Sequence, residues 1–289
     1  FYNVENVEVV ILYPSGKVSS IQELQLTTLG NNIRAIEVDG SFDDCQRMVK
    51  QSFADEDLKK QLFLTSANSI NVARWLPQQF YYFFAWQQWK DKSQPPVIAV
   101  PSGNFGNICA GLLAYHSGLP VTHFIAACNA NDAVPDYFET GIYQPKATVH
   151  TLSNAMDVGD PSNFTRVLQL FDNEIDSLKK LVTAFSISDA ETKQTIKELF
   201  THQAYLTDPH GAVGYKALEE WLMLHPGQKG YFLETAHPVK FYDVVEPIIE
   251  EKIKLPSAIQ SMLSKRKQVL TMKPGADQLK KYLLTCLKT

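Results

Sequence analysis

A strand, a glycine loop and a helix start follow one another between residues 97 and 113, and this segment most constrains the fold. It reads Val97-Ile-Ala-Val-Pro-Ser-Gly-Asn-Phe-Gly-Asn-Ile-Cys-Ala-Gly-Leu-Leu. The apolar run predicts a buried strand, and the helix-spaced apolar residues after it predict a helix. Gly103 and Gly106 leave main-chain N–H groups uncovered at the helix N-terminus, where a partial positive charge favours anions. The segment therefore predicts an α/β fold with a seat for a phosphate group.

The phosphate in question is not expected to belong to a nucleotide. The chain contains neither a GxxxxGK[ST] loop nor a clean GxGxxG sequence. Gly16-Lys-Val-Ser resembles the end of a phosphate loop, but no glycine stands five residues before Gly16. A small phosphorylated cofactor or substrate fits better, and an ordinary strand-to-helix turn remains the alternative for this loop taken alone.

Composition excludes several classes of function. The 289 residues carry a net charge of −4, and the longest basic run, residues 265–267, is too short for a nucleic-acid surface. No apolar stretch is long enough to span a bilayer. The histidines show no paired metal spacing, so no metal is expected. The scattered cysteines predict a cytoplasmic protein without disulfides; they are Cys45, Cys109, Cys128 and Cys286.

Strands and helices alternate in the first quarter of the chain. The apolar runs Val7–Tyr13 and Ile33–Val38 predict strands, and the helical spacing of residues Ser20–Leu29 and Phe42–Phe53 predicts helices. Strands separated by helices indicate a parallel sheet with right-handed crossovers.

A second series of strands and helices follows the aromatic-rich segment Ser69–Trp89. That segment predicts a long helix, and aromatic residues on all its sides predict burial between two layers. Further strands are predicted at Val121–Cys128 and Gly230–Glu234, with helix starts at Ser188 and Asp208.

We place a domain boundary near the aromatic helix. This gives a smaller, incomplete α/β domain over residues 1–85 and a larger, phosphate-binding α/β domain over residues 86–289.

Three groups of polar residues could bind a ligand. Short polar side chains with an arginine in Ser66-Ala-Asn-Ser-Ile-Asn-Val-Ala-Arg could hold an anion, although helix capping is favoured by residue chemistry alone. Thr235 follows a strand and could hydrogen-bond a heteroaromatic nitrogen, or cap a helix. Lys146 lies in the unpatterned segment 141–159 and could neutralise an anion, or be a plain surface lysine.

Five segments together resemble the threonine synthase family, pyridoxal-phosphate enzymes of the tryptophan-synthase-β-like fold. They occur in the order expected for that family, from the first strand to about residue 245. The segments are Val9-Val-Ile-Leu-Tyr-Pro-Ser-Gly-Lys-Val-Ser, Asn68-Ser-Ile-Asn-Val-Ala-Arg, Pro101-Ser-Gly-Asn-Phe-Gly-Asn, Leu152-Ser-Asn-Ala-Met-Asp-Val and Thr235-Ala-His-Pro.

The resemblance implies conversion of O-phospho-L-homoserine and water into L-threonine and phosphate. It places the phosphate of pyridoxal phosphate on Gly103, Asn104, Phe105, Gly106 and Asn107. It places the hydroxyl of Thr235 opposite the pyridine nitrogen of the cofactor. The substrate residues that it implies are Asn68, Ser69, Asn71, Arg74, Lys146 and Asn154.

The sequence departs from the family pattern in one respect. Neither the His-Gly-Pro-Thr-x-x-Phe-Lys-Asp motif of the catalytic lysine nor the Ser/Thr-Gly-Asp-Thr-Gly loop occurs here. Both would precede Phe1, so we expect this chain to be the carboxyl-terminal two-thirds of an enzyme. The intact protein is expected to be active, and this chain alone to be inactive because it has no such lysine. The alternatives are another enzyme of this fold acting on a serine derivative, and a non-catalytic protein that binds a phosphorylated ligand.

Overall fold

The structure, a computed structural model, describes residues 1–69 and 71–286. These residues form two compact units, unit 1 (residues 1–65 and the chain from Lys254 onward) and unit 2 (residues 66–253). Both units are built on parallel sheets, which confirms the predicted fold class. Ile70, within the predicted aromatic helix, and residues 287–289, within the predicted larger domain, lie outside the described residues.

The strands and helices are numbered in chain order. The strands are β1 (Val9–Pro14), β2 (Ile33–Val38), β3 (Val97–Pro101), β4 (His123–Cys128), β5 (Val182–Ser186), β6 (Gly230–Phe232) and β7 (Val269–Met272). The α-helices are α1 (Ser20–Thr27), α2 (Phe42–Ala54), α3 (Glu56–Gln61), α4 (Val72–Gln88), α5 (Gly106–His116), α6 (Ala133–Thr140), α7 (Phe164–Gln169), α8 (Ile175–Lys179), α9 (Asp189–Gln203), α10 (Pro209–Leu224), α11 (Tyr242–Ile249), α12 (Ser257–Leu263) and α13 (Ala276–Cys286). Short 3-10 turns occur at Asn154–Met156 and Pro238–Phe241.

Unit 1 contains a parallel sheet in the order β1-β2-β7. Ile36 and Val38 of the central strand are fully buried and pack with residues of α2 and α13. Ser19 and Ser41 begin α1 and α2 with capping boxes, which satisfy main-chain donors at each helix start. The first 65 residues contribute most of this unit, and the segment from Lys254 adds its third strand.

The units divide the chain at positions other than the predicted boundary between residues 85 and 86. Helix α4 belongs to unit 2 because Tyr82 is fully buried in the core that α4 shares with α5. The segment from Lys254 belongs to unit 1 because β7 pairs with β2. The return of the chain to its first unit depends on a pairing between distant residues, which local sequence patterns do not reveal.

Unit 2 contains a parallel sheet in the order β5-β4-β3-β6, covered by helices on both faces. Ile98 and Val100 pack into the core with α4 and α5, whereas Val97 and Ala99 pack into a second core with Trp221 of α10. All four of these β3 side chains are fully buried. Burial on both faces explains why β3 is a continuous apolar run rather than an alternating one.

Helix α4 is buried on one side only, which corrects the expectation of burial between two layers. Residues at a spacing of four, Val72, Leu76, Phe80 and Phe84, are each between 50% and 60% exposed. No helix among residues 1–69 and 71–286 combines the length and apolar character that crossing a bilayer requires.

Candidate functional site

The sheet of unit 2 has a topological switch point beside β3. The chain proceeds from β3 to β4 and β5 on one side, while β6 pairs with the opposite edge of β3. Parallel sheets of this kind bind ligands beyond the carboxyl ends of their strands, where the strand order reverses. The glycine loop follows β3 and Thr235 follows β6, so both border this point.

Pro101 ends the pairing between β3 and β6. Val97 N donates to Lys229 O at 2.9 Å and Leu233 N donates to Ala99 O at 2.9 Å, so alternate residues of β3 face β6. Pro101 is next in this alternation and has no N–H group to donate. On the other side, Ser102 N still donates to Ala127 O at 2.8 Å. The β3–β6 ladder therefore stops before the glycine loop, at the switch point where sheets of this kind have a crevice.

The N-terminus of α5 offers unpartnered donors to this crevice. Phe105 precedes the helix in a left-handed conformation (φ 59°, ψ 14°) and provides no side-chain cap. The first helical bond in this turn runs from Cys109 N to Phe105 O at 3.1 Å. Within the described part of the chain, the main-chain N–H groups of residues 103–108 donate to no acceptor. Such a group of donors at a helix N-terminus suits a tetrahedral anion.

Two loop glycines lie close to other segments, and at Gly103 the approach of main chain excludes any side chain. A Cβ on Gly103 would lie 2.5 Å from Met156 Cα, and a Cβ on Gly106 would lie 3.1 Å from Ser69 Cβ. The loop is thus enclosed by the Asn154–Met156 turn and by the segment before α4. These contacts bring Ser69, and the turn that begins with Asn154, to the predicted phosphate loop; both residues are predicted substrate residues.

The side chains of the two loop asparagines contact protein groups. Tyr81 and Tyr82 both donate to Asn107 Oδ1, the latter at 2.8 Å. Burial raises the pKa of Tyr81 to about 12, which keeps this donor protonated. Asn104 Nδ2 donates to Ser69 Oγ at 2.8 Å, while its Oδ1 accepts from Ser162 N at 2.7 Å. These side chains fix the loop, so its main-chain donors are the groups left for a ligand.

The polar segment before α4 makes mostly local contacts. Asn71 caps α4 by accepting from Ala73 N at 3.0 Å, which confirms the capping interpretation for this residue. Arg74 Nη1 donates to Ala67 O at 2.5 Å. Asn68 is exposed. In this structure, therefore, the segment is shaped by its own hydrogen bonds, and Ser69 alone among its four predicted residues contacts the glycine loop through a side-chain hydrogen bond in the described chain.

Thr235 is exposed, and its hydroxyl makes no hydrogen bond to any described residue. The nearby turn is capped by His237, whose Nδ1 accepts from Val239 N at 3.1 Å, so the capping alternative for Thr235 is wrong. Thr235 lines a cleft of about 610 Å³ together with Glu234 and His237. Its hydroxyl is available to a ligand.

Lys146 and Asn154 differ in their surroundings. Lys146 Nζ lies 2.6 Å from Asp132 Oδ1 and also contacts Asp136. Hydrogen bonds to these carboxylates raise the pKa of Lys146. Asn154 is exposed at the start of the turn that packs against Gly103.

Sequence reasoning missed two buried polar groups around the loop. Asn163 is fully buried, and its Nδ2, which has no hydrogen-bond partner among the described residues, would lie 3.4 Å from a Cβ on Gly106. His210 is 7% exposed, and its Nε2 accepts from Ala155 N at 3.2 Å. The predicted helix start at Asp208 is confirmed. The contact of His210 with Ala155, 55 residues away, could not be predicted because it has no local sequence pattern.

Comparison with known proteins identifies the class to which this fold and site belong. The family model "Pyridoxal-phosphate dependent enzyme" matches residues 3–230, and "Threonine synthase, C-terminal" matches residues 211–283. A threonine synthase of Buchnera aphidicola (subsp. Acyrthosiphon pisum) is 47% identical over 285 residues, which cover 98% of this chain and 66% of that protein. A threonine synthase of Escherichia coli K12 is 51% identical over 260 residues, covering 90% and 60%.

Solved structures agree with these matches. The crystal structure of threonine synthase from Escherichia coli superposes with a TM-score of 0.92 at 46% identity, covering 99% of this chain and 66% of that one. A pyridoxal-phosphate-bound threonine synthase from Brucella melitensis gives a TM-score of 0.90 at 30% identity, covering 100% and 67%. The chain therefore belongs to the threonine synthase family of pyridoxal-phosphate-dependent enzymes. It spans about two thirds of the length of these relatives.

Pyridoxal phosphate is the cofactor of this family, and the residues present fit it. The unpartnered N–H groups at the start of α5 suit its phosphate, and no side chain fits between Gly103 and Met156. A neutral hydroxyl at the end of the neighbouring strand suits a ring nitrogen that carries no full positive charge.

Proposed function

We propose that the protein to which this chain belongs is a threonine synthase, which converts O-phospho-L-homoserine and water into L-threonine and phosphate. One observation supports this most strongly: unpartnered helix donors and a free threonine hydroxyl border the same switch point of a sheet that superposes on threonine synthases. Because the chain spans 66% of its relatives, the activity is proposed for the full-length protein.

The residues of this chain take distinct roles in the proposal. The main chain of residues 103–107 binds the cofactor phosphate, and Thr235 holds the ring through its nitrogen. The cofactor, when bound, withdraws electrons from the carbon atoms of the substrate that lose protons. The side chains of Asn104 and Asn107 keep the loop in its binding conformation through Ser69, Tyr81 and Tyr82.

Some of the proposed substrate residues already make hydrogen bonds or ion pairs within the protein. Ser69 uses its oxygen to accept from Asn104 and retains its own proton for a ligand. Arg74 uses one of its five N–H groups to bind Ala67 O and can offer others to a ligand. At Lys146 the substrate would have to compete with a pair of carboxylates. The proposed set is Asn68, Ser69, Asn71, Arg74, Lys146 and Asn154.

We also propose a cytoplasmic location. In support, the cysteines whose side chains are described, Cys45, Cys109 and Cys128, are free buried thiols.

The decisive experiment follows phosphate and threonine together. The full-length protein, loaded with pyridoxal phosphate, is incubated with O-phospho-L-homoserine or with O-phospho-L-serine. Equal amounts of phosphate and threonine from the first substrate support the proposal. Turnover of the serine derivative alone supports another enzyme of the same fold. Tight cofactor binding without turnover of either supports a binding protein.

A further inference from the structure

We infer that Asp208 and His210 are positioning residues, which hold the turn at Asn154–Met156 against the glycine loop and so maintain its affinity for the cofactor phosphate. This inference rests on the proposed function, since it concerns the same phosphate site. It assigns a role to a buried pair outside the residues that the proposed mechanism uses.

The pair is held in one geometry by its hydrogen bonds. Asp208 Oδ1 lies 2.8 Å from His210 N and 2.6 Å from His210 Nδ1. Because His210 Nε2 accepts from Ala155 N–H at 3.2 Å, the ring proton of the neutral imidazole lies on Nδ1 and is donated to Asp208. Asp208 is fully buried and His210 is 7% exposed, so water does not compete strongly for these bonds.

The bond to Ala155 connects the pair to the glycine loop. Ala155 lies in the 3-10 turn whose next residue, Met156, approaches Gly103 through its main chain. The residues on either side of this turn are held separately, since Asn129 Nδ2 donates to Ser153 Oγ at 3.1 Å and to Asp157 Oδ1 at 3.0 Å. Between these two points the main chain of Ala155 is bonded to His210, and loss of that bond would release this part of the turn.

Asp208 also reaches the opposite side of the crevice. Its main-chain N–H donates to Glu234 Oε1 at 3.1 Å, and Glu234 directly precedes Thr235. One residue thus connects the turn beneath the phosphate loop with the strand end that carries the proposed ring contact. A pair that served only α10 would not need these connections.

Helix capping does not explain the imidazole. Asp208 caps α10 by accepting from the main-chain N–H of His210, a bond that any residue except proline could supply at position 210. The imidazole adds the contact with Ala155 and a second bond to Asp208. We assign these two additional hydrogen bonds to the maintenance of cofactor binding.

Two substitutions separate the functions of His210. In His210→Gln the longer amide can still accept from Ala155 N–H, whereas in His210→Asn the shorter amide retains only the contact with Asp208. Ala155→Pro removes the same donor without changing the pair. The dissociation constant of pyridoxal phosphate is measured by fluorescence titration of the full-length protein, with thermal unfolding recorded for each variant. His202→Gln, in an exposed position, is the matched control.

We expect His210→Asn and Ala155→Pro to raise the dissociation constant about tenfold, and His210→Gln to stay within about threefold of the wild type. At saturating cofactor the kcat of all variants should be similar. The inference is overturned if the wild type binds cofactor and His210→Asn and Ala155→Pro, like His210→Gln, bind it as tightly as the wild type does. It is also overturned if the affinity of the variants falls only in step with their unfolding. Failure of the wild type itself to bind cofactor would instead contradict the proposed function.

Discussion

Asn104 Nδ2 donates to Ser69 Oγ at 2.8 Å, and this bond joins the glycine loop to the segment that precedes α4. The other end of the same amide accepts from the main chain and the hydroxyl of Ser162. A single loop side chain thus fixes two neighbouring segments, and both border the N-terminus of α5.

The bond between Ser69 and Asn104 should be measurable as a coupling energy. We expect a double-mutant cycle of Ser69→Ala and Asn104→Ala to give a coupling of about 1 kcal/mol in the free energy of unfolding, because each change alone leaves a partly buried partner unsatisfied. The cycle is measured by urea denaturation. Asn104→Ala combined with Thr201→Ala, an exposed and distant residue, should be additive; additivity in both cycles would contradict the bond.

Gly103→Ala should weaken cofactor binding. The added methyl group would lie 2.5 Å from Met156 Cα, so the main chain of the loop or of the turn must move. Such overpacking costs about 1–3 kcal/mol, and we expect the dissociation constant of pyridoxal phosphate to rise about tenfold or more. Gly275→Ala, where the nearest atoms are 4.0 Å from the new Cβ, is the control and should bind normally.

Thr235→Val should reduce turnover. Binding of pyridoxal phosphate, which is anchored by its phosphate group, should stay largely intact. Valine keeps the shape of threonine but removes the unpartnered hydroxyl. We expect kcat to fall about tenfold, which corresponds to the loss of one hydrogen bond worth about 1.4 kcal/mol, and Thr235→Ser to restore most of the activity. Normal turnover by the valine variant would show that the ring nitrogen is held elsewhere.

His123 should make the protein less stable in mild acid. Burial, with a smaller contribution from nearby His225, lowers the pKa of His123 from 6.5 to about 4. The ring contacts Thr183 Oγ1 at 2.8 Å and stacks on Trp221. Below pH 6.5 the unfolded chain binds a proton that the folded chain does not, so stability is full above 6.5 and falls as the pH drops towards 4.

The expected loss from His123 is about 2 kcal/mol by pH 5. His123→Gln should flatten the free energy of unfolding between pH 6.5 and 4, as measured by urea denaturation at each pH. His202→Gln, in an exposed position, should keep the wild-type slope. Equal slopes in wild type and His123→Gln would show that His123 does not cause the dependence.

Local patterns predicted much of the fold. Residues 33–38 form the expected strand, and Ser188 and Asp208 begin the expected helices, because each depends on side chains within a few positions of one another. Strand β5 was not predicted, since its Val-Thr-Ala-Phe-Ser sequence is short and only its first residue is buried. The pairing of β7 with β2 joins residues more than two hundred positions apart, beyond the reach of any periodicity.

The candidate site could be predicted in part for the same reason. The glycine loop could be recognised in the sequence because two glycines follow an apolar strand. The structure shows in addition that main-chain donors of this loop have no partner among the described residues. The contact of His210 with Ala155, and the buried amide of Asn163, arise only when distant segments meet. The ion pairs of Lys146 likewise depend on Asp132 and Asp136, which lie on and beside α6, a helix with no strong sequence signal.

Pro101 has a consequence for how the crevice could evolve. Any other residue at this position would direct an amide N–H group toward β6. The two strands could then form one further hydrogen bond, and their ladder would be longer. Such an extension would bring the two chain segments together where the ring of the proposed cofactor is expected to lie. Proline at position 101 therefore helps to keep this end of the sheet open.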